Sequence, residues 1–162
     1  MPPSAIEVVV ADSGPLMALG RVGQLALLSR LFVQVHVPKA VLAECTARPQ
    51  FDDARKIAAA VESGALLVCD ATPIAAPGLQ PGERAAIGFA LEIGAVLLAD
   101  DRAARICAGG LGLTVIGTLG VLVRSKRVGA LKAVRPIIDS LRTGGHRLSD
   151  AVVAEALAAA GE

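Results

Sequence analysis

The chain has 162 residues, 54% of them hydrophobic, and 16 Lys and Arg against 15 Asp and Glu give a formal net charge of +1. That much apolar material supports one folded domain with a real core and excludes a disordered chain. Near-neutral charge excludes a globally basic nucleic-acid binder, and 2% aromatic content with no Trp and no Tyr leaves out the stacking platforms of many single-strand binders. Nucleic-acid chemistry, if present, must sit in a local site.

Strand-like and helical patterns alternate along the chain. "IEVVVA" (6–11) is short and β-branched and reads as a strand. "SGPLMALGRVGQLALLSRLF" (13–32) has helical spacing broken near Gly20 and Gly23, which predicts two short helices. "VQVHV" (33–37) is a strand, and "PKAVLAEC" (38–45) is a helix with Pro at its first position. A helix over 52–64, a strand over 65–69 and a Pro/Gly-rich loop over 70–82 follow. Next come helix 83–94, strand 95–99, helix 101–110 and strand 113–117. Helices over 118–129 and 131–145 (interrupted or begun near Pro136) lead to a last helix over 149–161 with Ser149 as its cap.

The strands are continuously apolar rather than alternating. They predict a parallel sheet covered by helices on both faces, in one domain over residues 1–162 with no repeat and no linker. The opening "MPPSAIEVVVADSG" lacks the basic and long apolar regions of a signal peptide. "ICAGGLGLTVIGTLGVLV" (106–123) is uncharged and barely long enough to span a bilayer, but its glycines read as turn, buried strand, turn and helix. Cys45, Cys69 and Cys107 form no CxxC pair. That argues against a zinc knuckle or a thioredoxin-like site and fits small core residues in a reducing cytoplasm.

Ligands of such sheets bind beyond the carboxyl ends of the strands. There "VVVAD" places Asp12, and "VLLADD" places Asp100 and Asp101. Glu83 begins the apolar stripe of its helix, and Glu44 ends an almost wholly apolar one. Two unit charges about 4 Å apart repel by roughly 4 kcal/mol at an effective dielectric near 20. A hard divalent cation, Mg²⁺ or Mn²⁺, resolves that repulsion and can activate a water for attack on a phosphate. Each acid also has an ordinary reading. Asp12 and Asp100 suit helix N-caps, Asp101 and Glu83 suit first-turn acids, and Glu44 suits an exposed helix end.

At these residues the chain resembles the small prokaryotic PIN-domain proteins. The motifs are "DSGPLMAL" from Asp12, "VHVPKAVLAEC" with Glu44, "GERAAI" from Gly82, "LADDRAAR" through Arg105, "VIGTLGVL" around Thr118 and "GGHRLSDAVVAEAL" at the end. The resemblance implies a three-layer α/β/α sandwich whose mainly parallel sheet sets the first and fourth strands side by side. It implies a metal-dependent endoribonuclease, like the toxin halves of VapBC-type toxin–antitoxin pairs. It carries over Asp12, Glu44, Glu83 and Asp101 as the acidic set. Asp100 fills a slot that is basic or polar in many PIN toxins, and Glu83 stands where many have Asp, so the choice between Asp100 and Asp101 as ligand stays open.

The function expected is hydrolysis of RNA by a metal-activated water. The metal ligands would come from Asp12, Asp100, Asp101 and Glu83, with Glu44 and Glu83 completing the shell through water or orienting the nucleophile. Arg84, Arg102 and Arg105 are candidate phosphate contacts, or a solvated helix face. His36, inside a strand, and His146, in a Gly-rich turn, are poor catalytic candidates. Expected partners are the RNA substrate, a small antitoxin protein and a second copy of the chain, in the cytoplasm and without a membrane. Helix 149–161, through Val152, Val153, Ala156 and Leu157, is the candidate dimer contact, against ordinary docking onto its own domain. The rival functions are a phosphohydrolase or phosphoacceptor domain, which would want its paired acids after the first strand, and an inactive binding module.

Overall fold

A computed structural model describes residues 7–162. Ile6, at the start of the first predicted strand, and most of the opening stretch read against a signal peptide lie outside them. The elements in chain order are β1 (Val8–Ala11), α1 (Ser13–Arg21), α2 (Ala26–Leu31), β2 (Gln34–Pro38), α3 (Lys39–Thr46), α4 (Asp52–Glu62) and β3 (Leu67–Cys69). They continue with α5 (Pro81–Ile93), β4 (Val96–Leu98), α6 (Arg102–Gly110), β5 (Val115–Ile116), α7 (Thr118–Arg127), α8 (Arg135–Thr143) and α9 (Asp150–Ala159).

The five strands form one parallel sheet in the order β3-β2-β1-β4-β5. Val9, Val10 and Ala11 have no exposed surface, as a central strand covered on both faces requires. The chain runs outward from β1 to β2 and β3, then returns to lay β4 on the other side of β1. Right-handed crossovers in these opposite directions put the connecting helices on opposite faces, giving the α/β/α sandwich. Helix α5 lies across β1, β2 and β4, while α2 contacts β2 and α7. The core between the layers is aliphatic, with Leu16, Leu19, Ile87, Leu97, Leu98 and Leu122 almost wholly buried.

The pairing of β1 with β4 decides where the acids go. Ala11 is registered against Leu98, and the Asp12 amide donates to the Leu98 carbonyl at 2.9 Å, extending the ladder by one residue. Asp12 and the Asp100–Asp101 pair thus leave adjacent strands at the switch point of the sheet, where a crevice forms.

The element boundaries differ from the sequence reading in physically specific ways. Helix α5 starts at Pro81, two residues before Glu83. Its cap is a box in which the Gln80 side chain accepts from the Glu83 amide and the Glu83 carboxylate accepts from the Gln80 amide. Gln is an uncommon N-cap, so the loop pattern hid the start. Pro38 closes β2 opposite Cys69 instead of opening α3. Helix α8 starts at Arg135, not Leu131, because the Glu162 carboxylate accepts from the Val134 and Arg135 amides at 2.7 and 3.2 Å. The two predicted helices over 13–32 are α1 and α2, separated by Gly23 at φ 69°.

The uncharged stretch 106–123 divides into the end of α6, β5 and the start of α7. No helix among the described residues is long and apolar enough to cross a membrane. On α9, Val153, Ala156 and Leu157 are buried and the helix docks against α7, leaving Val152 exposed. All three cysteines are free thiols, Cys45 buried and the other two partly so.

Candidate active site

Helix N-termini gather at the carboxyl edge of the sheet, α1 following β1, α6 following β4 and α7 following β5. Asp12 stands at the N-cap position of α1, with extended backbone, yet its side chain makes no capping hydrogen bond. It is 4% exposed, and its Oδ1 is buried without a hydrogen-bond partner. An ordinary helix cap would have used that oxygen. Burial pushes the Asp12 carboxyl up to about 7, a backbone N–H at Ser13 pulls against this, and the charges of Glu83, Glu44 and Asp100 push it further up.

Each of those neighbours is held by the positive end of a helix. Glu44 sits in the last turn of α3, where its own helix dipole disfavours an anion. It is compensated from 38 residues away: the Gly82 amide, in the first turn of α5, donates to Glu44 Oε1 at 2.9 Å. A Cβ on Gly82 would stand 2.6 Å from both Glu44 oxygens, so glycine is what lets the carboxylate approach. Glu83, one residue on, is fixed by the capping box of α5. Asp100 faces the start of α7. Its Oδ1 accepts from the Thr118 amide at 2.7 Å and its Oδ2 from the Thr118 hydroxyl at 2.6 Å.

Asp101 does something else. It is the N-cap of α6, its Oδ1 accepting from the Ala104 amide at 2.9 Å, and it is exposed. It is absent from the charges that act on Asp12, whereas Asp100 is among them. The set drawn around Asp12 is therefore Glu44, Glu83 and Asp100, with Asp101 turned onto its own helix. The adjacent pair divides into one acid facing the crevice and one cap.

Of the arginines, Arg105 is half-tethered, its Nη1 donating to the Ala99 carbonyl at 2.9 Å beside Asp100. Gly117 permits this approach, since a Cβ there would meet Arg105 Nη1 at 2.8 Å and Asp100 Oδ1 at 2.9 Å. Arg102 is exposed. Arg84 is half-buried on α5 and its Nε lacks a partner. His36 packs at a tilt against Phe89, with 5.5 Å between ring centroids, while His146 lines a depression described next.

Two open depressions reach this cluster. One, of about 870 Å³, is lined by Asp100 together with Arg102, Arg105, Arg124, His146 and Arg147. The other, of about 760 Å³, is lined by Glu44 together with Arg21, Arg48, Phe51 and Asp53. The sequence reading singled out neither Thr118 as the holder of Asp100 nor Asp53. Thr118 lay inside the quoted "VIGTLGVL" motif; Asp53, buried and 3.7 Å from Arg21, carried no signal beyond its place in a helical first turn.

The donor set suits a hard divalent cation in its chemistry. It consists of carboxylate oxygens, one of them buried and orphaned among three like charges. Among the described residues, however, no three acidic, His or Cys side chains are already gathered tightly enough to ligate an ion. Three of the four acids are instead engaged by backbone amides. A cysteine nucleophile has no support here. Burial, reinforced by Asp12, pushes the Cys45 thiol up to about 12, far from the thiolate form.

Comparison with known proteins fits this architecture. The model of a PIN-domain family matches residues 8–162. A PilT N-terminus domain protein from the hyperthermophilic archaeon Sulfolobus solfataricus P2 superposes with a TM-score of 0.55 at 20% identity, over 73% of this chain and 92% of that one. A domain of a functionally unknown protein from Methanocaldococcus jannaschii DSM 2661 aligns with a TM-score of 0.47 at 17% identity, over 68% of this chain and 90% of that one. No functionally curated protein matches the chain.

Proposed function

Since the chain belongs to the PIN-domain family, a nuclease-type fold, we propose that it is a metal-dependent endoribonuclease whose centre is Asp12. The observation that carries this reading is the buried, unpartnered Asp12 carboxylate amid Glu44, Glu83 and Asp100 at the switch point of the sheet. Leaving four acids there without a function would destabilise the fold for no return, because like charges in a low-dielectric crevice repel.

Asp12 and Asp100 are the proposed ligands of Mg²⁺ or Mn²⁺, with Glu44 and Glu83 acting through water. When bound, the ion would supply an activated water and neutralise charge on the phosphate in in-line attack. The remaining steps belong to the protein. Helix N-termini hold Glu44 and Asp100 at the crevice through the Gly82 and Thr118 amides, and binding would redirect carboxylate oxygens from these donors to the ion. Asp101 keeps α6 in place, and Arg102 and Arg105 border the depression through which the strand reaches Asp100. Phosphate contacts of that kind position a strand without reading its sequence.

The same resemblance supports the finer proposal that the protein is the toxin of a toxin–antitoxin pair, acting in the cytoplasm, with a small antitoxin as partner and a homodimeric state. Exposed Ile106 and Val152, both beside the Asp100 depression, are apolar surface for such contacts.

The test is cleavage of end-labelled single-stranded RNA. The reading expects internal cuts with Mn²⁺ or Mg²⁺, none with EDTA, and loss by orders of magnitude in Asp12→Asn. Cleavage that survives EDTA and Asp12→Asn would exclude it. An aspartyl-phosphate formed from a phosphodonor would favour the phosphoacceptor reading instead.

A further inference from the structure

The chain has three aromatic side chains of the Phe, Trp and Tyr type, all Phe. Phe32 is buried in the core and Phe89 packs on His36. Phe51 alone is 49% exposed, and it lines the depression that contains Glu44. We propose that Phe51, with Arg48, is a base-stacking subsite that holds a nucleobase of single-stranded RNA beside the acidic cluster. The inference rests on the nuclease reading of that cluster and names how its substrate is gripped.

The local structure braces the backbone that carries the ring. The Phe51 amide donates to the Arg48 carbonyl at 3.1 Å, closing a tight turn that sets both side chains on the same depression. Phe51 is also the N-cap residue of α4, and its carbonyl accepts from the Arg55 amide at 3.3 Å. Arg55 braces the turn, its Nη1 donating to the Gln50 carbonyl at 2.8 Å and its Nη2 pairing with Asp52. A Phe on a braced turn has only its own side-chain torsions left to order when a base settles on it.

Charge completes the subsite. Arg55 is spent on Asp52 and Arg21 on Asp53, whereas Arg48 has no ion pair or side-chain hydrogen bond among the described residues. A guanidinium next to an exposed ring serves both a phosphate and a base face. The volume of about 760 Å³ falls in the range of roughly 300–1,000 Å³ usual for small-ligand sites. Glu44, in the same depression, is one of the charges felt by Asp12, so Phe51 shares one depression with a member of the acidic cluster. A base is favoured over a purely apolar partner because the border is polar: Glu44, Arg48, Gln50 and Asp53 line the depression with the ring. Stacking tolerates any base, so the subsite supplies affinity rather than sequence choice.

The chain has no Trp, so Phe51→Trp places a single fluorophore at the site. Titration with a twelve-residue oligouridine in EDTA, where cleavage is suppressed, is expected to quench its emission saturably. An abasic oligomer of the same length is expected to leave the emission unchanged. Phe51→Ala and Phe51→Leu are each expected to weaken oligouridine binding about tenfold, with unchanged circular dichroism. Absence of quenching, equal quenching by the abasic oligomer, or unchanged affinity in both truncations overturns the proposal. So does emission that follows protein concentration alone, which marks a contact between copies. If wild type cleaves RNA while Phe51→Trp stays silent, the subsite fails and the nuclease reading stands; quenching without any cleavage gives the reverse.

Discussion

Thr118 satisfies both oxygens of Asp100 at once, through its backbone amide at 2.7 Å and its hydroxyl at 2.6 Å. The Thr118 side chain is buried and stands at the first turn of α7, so this is a charge-assisted anchor at a helix N-terminus. It fixes which of two adjacent aspartates faces Asp12.

Replacing that hydroxyl tests the anchor. Thr118→Val keeps the shape and the amide donor but strands Asp100 Oδ2. The expected loss is about 1–3 kcal/mol of stability by urea denaturation. Thr118→Ser, which restores the donor, is expected to recover most of it. Equal stability of all three proteins would show that the hydroxyl contact contributes nothing.

Gly82→Ala separates fold from site. Its Cβ would meet the Glu44 carboxylate at 2.6 Å, and the head of Glu44 can swing away. Alanine is the better helix former by roughly 1 kcal/mol. Swinging away gives up the hydrogen bond from the Gly82 amide and offsets that preference, so thermal stability is expected to stay near wild type while metal-dependent cleavage falls. A variant with wild-type cleavage rate would remove Glu44 from the mechanism.

Asp12 makes metal-free stability depend on pH in a direction opposite to a salt-bridged acid. Its folded pKa, about 7, lies above the ordinary 3.8. Well below pH 3.8 both folded and unfolded states hold the proton and no penalty exists. Between pH 4 and 7 the unfolded chain ionises first, so stability falls as pH rises, and above 7 the penalty is constant. A rise from 3.8 to about 7 corresponds to roughly 4 kcal/mol. In EDTA, Asp12→Asn is expected to be more stable than wild type at pH 8, with the gap closing by pH 4. Parallel stability curves across that range would show that Asp12 is not a buried, strained carboxylate.

The basic border of the Asp100 depression is tested by salt. Arg102→Ala and Arg147→Ala are each expected to lower the slope of log affinity against log salt for single-stranded RNA by about 0.7. Unchanged slopes would return both residues to the solvated surface.

How far the sequence reaches can be seen residue by residue. The alternation of continuous apolar strands with helices gives the layered parallel fold, and the acids after "VVVA" and "VLLA" point to the strand ends. That Asp100 rather than Asp101 is drawn toward Asp12 is not readable there, because Asp100 is held by Thr118, which arrives 18 residues later on another element. Glu44 is equally opaque. Its own helix end argues for an exposed acid, and only the fold reveals the Gly82 amide that receives it. The starts of α5 and α8 were hidden for the same reason, one capped by an unusual residue and the other by the distant Glu162. Phe51 gave no signal, since the composition argued against stacking and exposure is a property of the fold.

The central claim is that a divalent cation relieves the charge gathered at Asp12, and thermal melts of wild type and Asp12→Asn with EDTA and with Mn²⁺ test it most directly. At neutral pH in EDTA the variant is expected to equal or exceed wild type. With Mn²⁺ at a hundredfold excess over its Kd, wild type is expected to gain about 2.7 kcal/mol and the variant much less. A manganese shift of the same size in both proteins would contradict the claim, for it would place the cation elsewhere and leave Asp12 without the role assigned to it.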